Sequence, residues 1–306
     1  SLAFSASMPA RKISRKLLTS GSGLINAQRT RRLAGCEAAL LLDSDIFPAG
    51  AVEIGGMKIA KNYRMEAVLG CATAMVQEIG GGLARAFSEF ARQQYVQPMR
   101  AENLRFYESG GMSAQIEGHH VLLGSASFLM RMGVAVSEGV KLPSSLFISI
   151  DSGFAGIFSI KYGVQSQAYA AFRMLRAGKL TPVVASRDLN ITQAYVESRF
   201  ELRAGSTEYP DMNDRIRLSE PSLADGSETL AFLSRDGMLP FAEVLLAAKR
   251  ERKAIRFGQI MGLTAMVAGL LLMYFLAYQF KVASATPHNV MLYLLLWLIP
   301  TWLGSA

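Results

Sequence analysis

The chain has 306 residues, of which 51% are hydrophobic and 18% are charged, and its formal net charge is +8. This composition excludes a disordered or collagen-like chain. Two cysteines, Cys36 and Cys71, are too few and too far apart for a disulfide framework or a thiolate zinc site. The length allows about two soluble domains and a further segment.

Residues 1–10 are mostly small and weakly apolar. Four basic residues follow them: Arg11, Lys12, Arg15 and Lys16. A signal peptide carries its charges first. We therefore expect residues 1–32 to be the cytoplasmic end of a membrane helix followed by a basic linker. Because the sequence lacks an initiator Met, we expect it to be a fragment of a longer protein.

Three short apolar runs are candidates for buried strands of a mostly parallel sheet. They cover residues 38–42, 180–185 and 230–233. Each run is followed by an aspartate, in turn Asp43, Asp188 and Asp236. Ligands of open parallel sheets bind beyond the carboxyl ends of the strands, so the three carboxylates are expected to share one crevice.

The stretch between the first two of these strands follows a different pattern. Residues 64–79 and 83–96 have the apolar spacing of helices, and a run of three glycines separates them. Short antiparallel strands are then expected at 104–108, 112–117, 120–123, 146–150 and 155–160. Residues 51–161 are therefore predicted to form an inserted α+β domain, from which the chain returns to the parallel sheet through a helix over 167–176.

The carboxyl-terminal part contains two apolar stretches, 257–280 and 290–306. The first has no charged residue and is long enough to cross a bilayer, whereas the second is barely so and is expected to be truncated. Five basic residues precede the first span: Lys249, Arg250, Arg252, Lys253 and Arg256. By the positive-inside bias, the soluble domains of this multi-pass membrane protein are expected to be cytoplasmic.

The basic clusters at both ends of the soluble part are expected to contact anionic membrane lipids. Other membrane protein segments are further candidate partners. No aromatic residues are interleaved with the basic runs, and no nucleic-acid-binding module accompanies them, so nucleic acid is not an expected partner.

The order of these elements resembles the catalytic half of a P-type ATPase of the heavy-metal-transporting branch, within the HAD superfamily. Residues 118–125 (GHHVLLGS) are similar to a sequence motif of that family's nucleotide domain. Pro9 and residues 21–25 correspond to the part of the family's sequence between its fourth membrane helix and the phosphorylation site. The resemblance implies an α/β, HAD-like (Rossmannoid) parallel sheet in residues 33–50 and 162–255. The α+β nucleotide-binding-type domain would be inserted at 51–161, with transmembrane helices at 257–280 and 290–306.

The family's motifs are only partly present. Its Asp-Lys-Thr-Gly-Thr becomes residues 43–47 (DSDIF), its Thr-Gly-Asp becomes 186–188 (SRD), and its Gly-Asp-Gly-x-Asn-Asp becomes 235–240 (RDGMLP). The resemblance implies that Asp43 is the nucleophile and that Ser186 binds phosphate. It also implies that Asp236, with Asp43 and the neighbouring Asp45, would hold Mg²⁺.

The nucleotide site implied by the resemblance is also altered. The family's His-Pro falls at Gly81 and Gly82, and its Gly-x-Gly is reduced to Gly110 and Gly111. These two glycines, with Gly124 and Asp188, are the candidate residues for binding ATP. The sequence has no lysine between Arg187 and Asp236, so Arg215 or Arg217 would have to supply the positive charge that the family takes from a lysine.

Three functions follow from this sequence. The first is a degenerate P-type cation-transporting ATPase-like protein, in which Asp43 forms no stable acyl phosphate from ATP. The second is a membrane-anchored, Mg²⁺-dependent HAD-type phosphatase, in which Asp43 attacks phosphorus while Asp45 protonates the leaving group and later activates water. The third is a non-enzymatic scaffold that binds a nucleotide or a partner membrane protein through the insert.

Overall fold

The structure is a computed structural model that describes residues 2–19, 21–48, 50–97, 99–136, 144–163, 166–220, 229–233 and 237–304. The chain forms two compact units. Unit 1 comprises Ser1–Glu37, Met174–Lys179 and Glu228–Ala306, and unit 2 comprises Ala38–Arg173 and Leu180–Ser227. Unit 2 contains most of the residues that the sequence singles out.

A parallel strand pair in unit 2 carries the first two predicted aspartates. Strand β2 (Ala38–Leu41) pairs in parallel with β9 (Thr181–Val184), with Ala38 opposite Thr181, and Glu208 continues the sheet through a bridge to Val183. Both predicted strands are confirmed. Helices α3 (Asp43–Ile46) and α7 (Ser166–Ala177) lie between the two strands in the chain, and α8 (Gln193–Arg199) and α9 (Met212–Leu218) follow β9.

The inserted part of unit 2 is a six-stranded antiparallel sheet with two long helices. The strands are β3 (Val52–Ile59), β4 (Glu102–Tyr107), β5 (Gly111–Ile116), β6 (His119–Gly124), β7 (Ser145–Ile150) and β8 (Gly153–Tyr162). Their order in the sheet is β3-β8-β7-β6-β5-β4. The helices are α4 (Met65–Ile79), α5 (Gly81–Gln93) and the short α6 (Ala126–Arg131).

The predicted α/β class with an inserted α+β domain is confirmed for the described residues. All six residues of β7 and ten residues of α4 are buried, so the insert has an apolar core of its own. Within the insert, the structure adds two elements that the sequence analysis did not predict, β3 and α6. Strand β3 contains Gly55 and Gly56, and paired glycines interrupt the alternation by which a strand is recognised.

Unit 1 is built around one long helix, α10 (Met238–Tyr278). Helices α1 (Leu2–Thr19), α2 (Ala27–Gly35) and α11 (Pro287–Gly304) all contact α10, and a short 3₁₀ turn at Val282–Ser284 precedes α11. The side chain of Asn26 caps α2 by accepting a hydrogen bond from the Arg29 amide at 2.9 Å. The predicted linker therefore contains an additional helix.

The predicted third parallel strand, residues 230–233, does not join the parallel pair. Its observed part, β10 (Ala231–Phe232), pairs antiparallel with β1 (Gly23–Leu24) in unit 1. The ring of Phe232 lies over Gly23, where a Cβ atom would overlap it, and this aromatic–glycine pair stabilises the two-residue pairing. The prediction for this strand was wrong, and Asp236, which follows it, lies outside the described residues.

Among the described helices, α10 is long and apolar enough to cross a membrane, and α11 contributes a shorter apolar stretch, Pro287–Pro300. The apolar part of α10 is exposed; Leu270 and Leu271, for example, are 65% and 64% exposed. An exposed stripe of this kind is unlike the core helix of a soluble domain. The described residues therefore support membrane association through α10.

A packing test of the insert compares two glycines of its sheet. A Cβ atom on Gly111 would overlap the ring of Phe128, whereas a Cβ atom on Gly56 has open space. We expect Gly111→Ala to lower the free energy of unfolding by about 1–3 kcal/mol, because the buried ring must move. Gly56→Ala should leave it nearly unchanged in denaturant titrations of the full chain, and equal losses in both variants would contradict this packing.

Candidate functional site

The first predicted site residue, Asp43, begins α3 directly after β2. The same short helix holds Asp45, whose Oδ2 accepts a hydrogen bond from the Leu42 amide at 2.8 Å and thereby caps the helix start. Burial raises the pKa of both carboxyls, and the charge of Asp45 raises that of Asp43 further. The two predicted catalytic carboxylates are therefore neighbours, but one of them stabilises the local backbone.

The motif Ser186-Arg187-Asp188 continues from β9 at the same edge of the sheet. The Ala185 amide donates to the Leu41 carbonyl at 2.9 Å, which extends the parallel pairing up to the motif. Ser186 and Asp188 are fully buried. The Asp188 amide donates to Ser186 Oγ at 3.1 Å, so the hydroxyl oxygen already has a partner inside the protein.

The carboxylate of Asp188 is enclosed by two further donors. The Tyr162 hydroxyl donates to its Oδ2 at 2.7 Å, and the Asn190 amide donates to its Oδ1 at 2.9 Å. Burial raises the pKa of Asp188 to about 7, and the nearby charge of Asp43 acts in the same direction. Asp43 and Asp188 are therefore close enough to interact, as the sequence predicts.

Two arginines lie at this site. Arg187 donates from Nε to Ser219 Oγ at 2.6 Å and from an Nη to the Ile216 carbonyl at 3.0 Å, and its charge lowers the pKa of Asp43 against the larger effect of burial. Buried Arg215 donates to the Ser186 carbonyl at 2.8 Å and stacks 4.3 Å above the Tyr209 ring.

The two arginines that the sequence proposed as charge donors therefore differ. Arg215 reaches the backbone of the site, whereas Arg217 is exposed and pairs with Asp214 on its own helix at 3.2 Å. The cation that acts on Asp43 is Arg187, which sequence reasoning missed. Its position directly before Asp188, at the end of a buried strand, was the available signal.

The start of α5 lies against one oxygen of the half-buried Asp43. Gly80 and Gly81 have left-handed backbone angles, with φ of 80° and 64°, and a Cβ atom on Gly81 would overlap Asp43 Oδ2. The carboxylate thus lies against backbone at the amino-terminal end of a helix, where the aligned peptide dipoles favour negative charge. This contact brings the insert onto the predicted nucleophile.

The glycines predicted to bind nucleotide surround an aromatic ring. Gly111 is paired with Gly124 across β5 and β6, and a Cβ atom on either would overlap or crowd the ring of Phe128. Gly110 forms the turn before β5 with φ of 82°. Packing of Phe128 thus accounts for two of these glycines and the turn for the third, and their assignment to ATP stays a prediction.

Within the described ranges, no group of three or more His, Cys, Asp or Glu side chains comes together as a metal site. Asp43 and Asp45 supply two carboxylates, and the third predicted ligand, Asp236, falls in the undescribed residues 234–236. Two carboxylates, one of them capping a helix, are a weak set for Mg²⁺, which is usually bound together with substrate phosphates. The Mg²⁺ site stays a prediction.

No family model and no curated protein matches this chain, but solved structures do. The chain is similar to a zinc-transporting PIB-type ATPase in its E2.Pi state, at 15% identity and a TM-score of 0.44 over 99% of this chain and 54% of that one. It is also similar to the catalytic domain of the CPx-ATPase CopB-B, at 12% identity and a TM-score of 0.41 over 67% and 73% of the two chains.

A third match is the N-domain of HMA6, a copper-transporting P-type ATPase, at 19% identity and a TM-score of 0.31 over 37% of this chain and all of that one. This chain thus spans about half the length of the zinc-transporting ATPase structure that it matches, 54% of it. The matched structures belong to the class of protein that the sequence motifs resemble.

The raised pKa of Asp188 predicts a pH-dependent stability. Between the usual pKa of 3.8 and the folded value of about 7, the folded chain binds a proton that the unfolded chain does not. Stability should therefore rise as the pH falls from about 8 to about 5, by at most about 1.4 kcal/mol per unit. Asp188→Asn resembles the protonated form and should flatten this slope in denaturant titrations.

The control for that measurement is Asp214→Asn, which removes an exposed carboxylate. It should keep the slope of the unchanged chain. Asp43 and Asp45, whose pKa values are also raised, make stability depend on pH in the same direction. Their contribution cancels when the slope of stability against pH in each variant is compared with that of the unchanged chain. An identical slope in Asp188→Asn would contradict the buried, proton-binding carboxylate.

Proposed function

We propose that this chain is a degenerate P-type ATPase-like membrane protein in which transfer of phosphate from ATP to Asp43 is impaired. The observation that carries the proposal is the contact between Asp43 Oδ2 and Gly81 at the start of α5. An attacking carboxylate needs an open path to phosphorus. Here α5 occupies the space beside one of the two carboxylate oxygens.

The neighbouring motif supports the same conclusion. The Ser186 hydroxyl is fully buried and its oxygen accepts the Asp188 amide, so it would have to be uncovered before it could bind phosphate. The Asp188 carboxylate holds the Tyr162 hydroxyl and the Asn190 amide. The hydrogen-bonding atoms of Ser186 and Asp188 are therefore bonded to other residues of unit 2, and few of them remain for a ligand.

The cations at the site are also engaged. Arg187 is bound to Ser219 and Ile216, and Arg215 to the Ser186 carbonyl and the Tyr209 hydroxyl. A phosphoryl transition state is stabilised by cations directed at its oxygens, and a guanidinium does not replace a lysine in reach or geometry. Arginines held in these contacts are poor substitutes for the lysine that the sequence lacks.

The proposal extends to the organisation of the chain. Residues 33–50 and 162–255 would form the phosphorylation domain, and residues 51–161 the nucleotide-binding-type insert, both cytoplasmic. Helix α10 would span the membrane, and α11 would be a second membrane segment, which makes the protein multi-pass. Any binding of ATP and Mg²⁺, and any cation transport, belong to this proposal through the sequence resemblance alone.

The decisive experiment is an acid-quenched phosphoenzyme assay on the detergent-purified chain with radiolabelled ATP and Mg²⁺. We expect no labelled protein above the level of Asp43→Asn, since α5 lies against one oxygen of the carboxylate and the surrounding cations are engaged. A thermal unfolding curve shows in parallel that both proteins are folded. Label present in the unchanged chain and absent in Asp43→Asn would overturn the proposed impairment.

Two further measurements distinguish the alternatives. Hydrolysis of p-nitrophenyl phosphate that requires Mg²⁺ and disappears in Asp43→Asn would identify a phosphatase. An ATP-dependent rise in Tm without label or hydrolysis would identify a nucleotide-binding scaffold. We expect no hydrolysis, because α5 lies against Asp43, the nucleophile that this reaction needs.

A further inference from the structure

A cavity in unit 1 has no role in the proposed reaction. It lies between α1 and α10 and has a volume of about 260 Å³. Its apolar lining includes Leu17, Leu246 and Ala247, and its charged lining consists of Lys16, Arg250 and Glu243. The cavity therefore combines an apolar floor with two cations and one carboxylate.

The two cations are available for a ligand. Lys16 and Arg250 are exposed, and neither forms an ion pair with a carboxylate among the described residues. Lys12 and Lys253, also exposed, lie close by in the sequence on the same two helices. The lining also contains one carboxylate, that of Glu243. Two cations against one carboxylate leave a net positive charge, which favours an anionic ligand.

The position of Arg250 along α10 indicates which kind of anion the cavity would bind. Arg250 precedes the apolar stretch that begins at Phe257 by seven residues, which is about 10 Å along a helix. A bilayer adds roughly 5–8 Å of headgroup region on each side of its hydrocarbon core, and arginine and lysine side chains reach toward that region. The Arg250 side chain is therefore within reach of the phosphates of the cytoplasmic leaflet, whereas the rest of the cavity lining on α10, Glu243, Leu246 and Ala247, lies farther from the bilayer.

We infer that the cavity between α1 and α10 binds the headgroup of an anionic phospholipid, with Lys16 and Arg250 contacting its phosphate. Basic pockets beside membrane helices on the cytoplasmic side are suited to such headgroups. Leu246 and Ala247, the α10 part of the apolar floor, lie farther from the bilayer than Arg250, so they would contact the part of the headgroup beyond the phosphate, such as the headgroup glycerol of phosphatidylglycerol. A free phosphate ion would gain nothing from that floor.

The test measures the Tm of the full chain in a neutral detergent as dioctanoyl phosphatidylglycerol is added. A ligand that binds the folded state raises the Tm in a saturable manner. Dioctanoyl phosphatidylcholine and inorganic phosphate are the comparison ligands. We expect saturation with the anionic lipid only, and an equal rise with inorganic phosphate would overturn the lipid assignment.

Matched double variants separate the cavity from the general basic surface. Lys16→Gln with Arg250→Gln removes both cavity cations, and Arg11→Gln with Lys253→Gln removes two exposed cations elsewhere on the same helices. The first pair should weaken the apparent affinity about tenfold or more, and the second pair by much less. Equal weakening in both pairs would show a diffuse surface attraction and overturn the inference.

A third variant changes the shape of the cavity and keeps its charges. Ala247→Met fills the apolar floor, and it should abolish the saturable rise in Tm although Lys16 and Arg250 are unchanged. Saturable binding at the original affinity in Ala247→Met would contradict the cavity as the site. None of these measurements involves phosphoryl transfer, so their outcome is independent of the proposed function.

Discussion

The parallel pairing of β2 with β9 is the constraint on which the rest of the site depends. Its register places Leu41 opposite Val184, and the bond from the Ala185 amide to the Leu41 carbonyl continues it by one residue. Both chains must then leave the sheet at the same edge. As a result, Asp43 and the Ser186-Arg187-Asp188 motif meet although more than 140 residues of sequence separate them.

Below that edge, the site rests on an aromatic cluster. Phe47 lies 5.1 Å from Tyr162 and 6.2 Å from Phe200, measured between ring centroids. Tyr162 of this cluster donates the hydroxyl hydrogen bond to Asp188, and burial is the largest cause of the raised pKa of Asp188. Burial also raises the pKa of Tyr162, which therefore keeps its proton and remains a hydrogen-bond donor.

Local pattern was enough to predict most elements of this chain. Helices α4, α5 and α7 have long apolar periods, and strands β2, β5 to β9 are bounded by glycine or acidic turns, so each is specified by its own residues. Predictions that needed a distant partner were less complete. The two-residue strand β10 pairs with Gly23, the Asp188 carboxylate accepts a hydrogen bond from Tyr162, and Asp43 lies against Gly81. Each of these contacts joins residues that are far apart in the sequence, so no local apolar period predicts it.

The glycine at the start of α5 also restricts how this sequence can change. By the sequence resemblance alone, a His-Pro pair would stand at about the place of Gly81 and Gly82. A histidine at Gly81 alone would force its Cβ into the Asp43 carboxylate and would require a left-handed backbone angle that side chains rarely adopt. Asp43 and α5 would have to move together, so substitutions at Gly81 and at Asp43 are expected to have non-additive effects on stability.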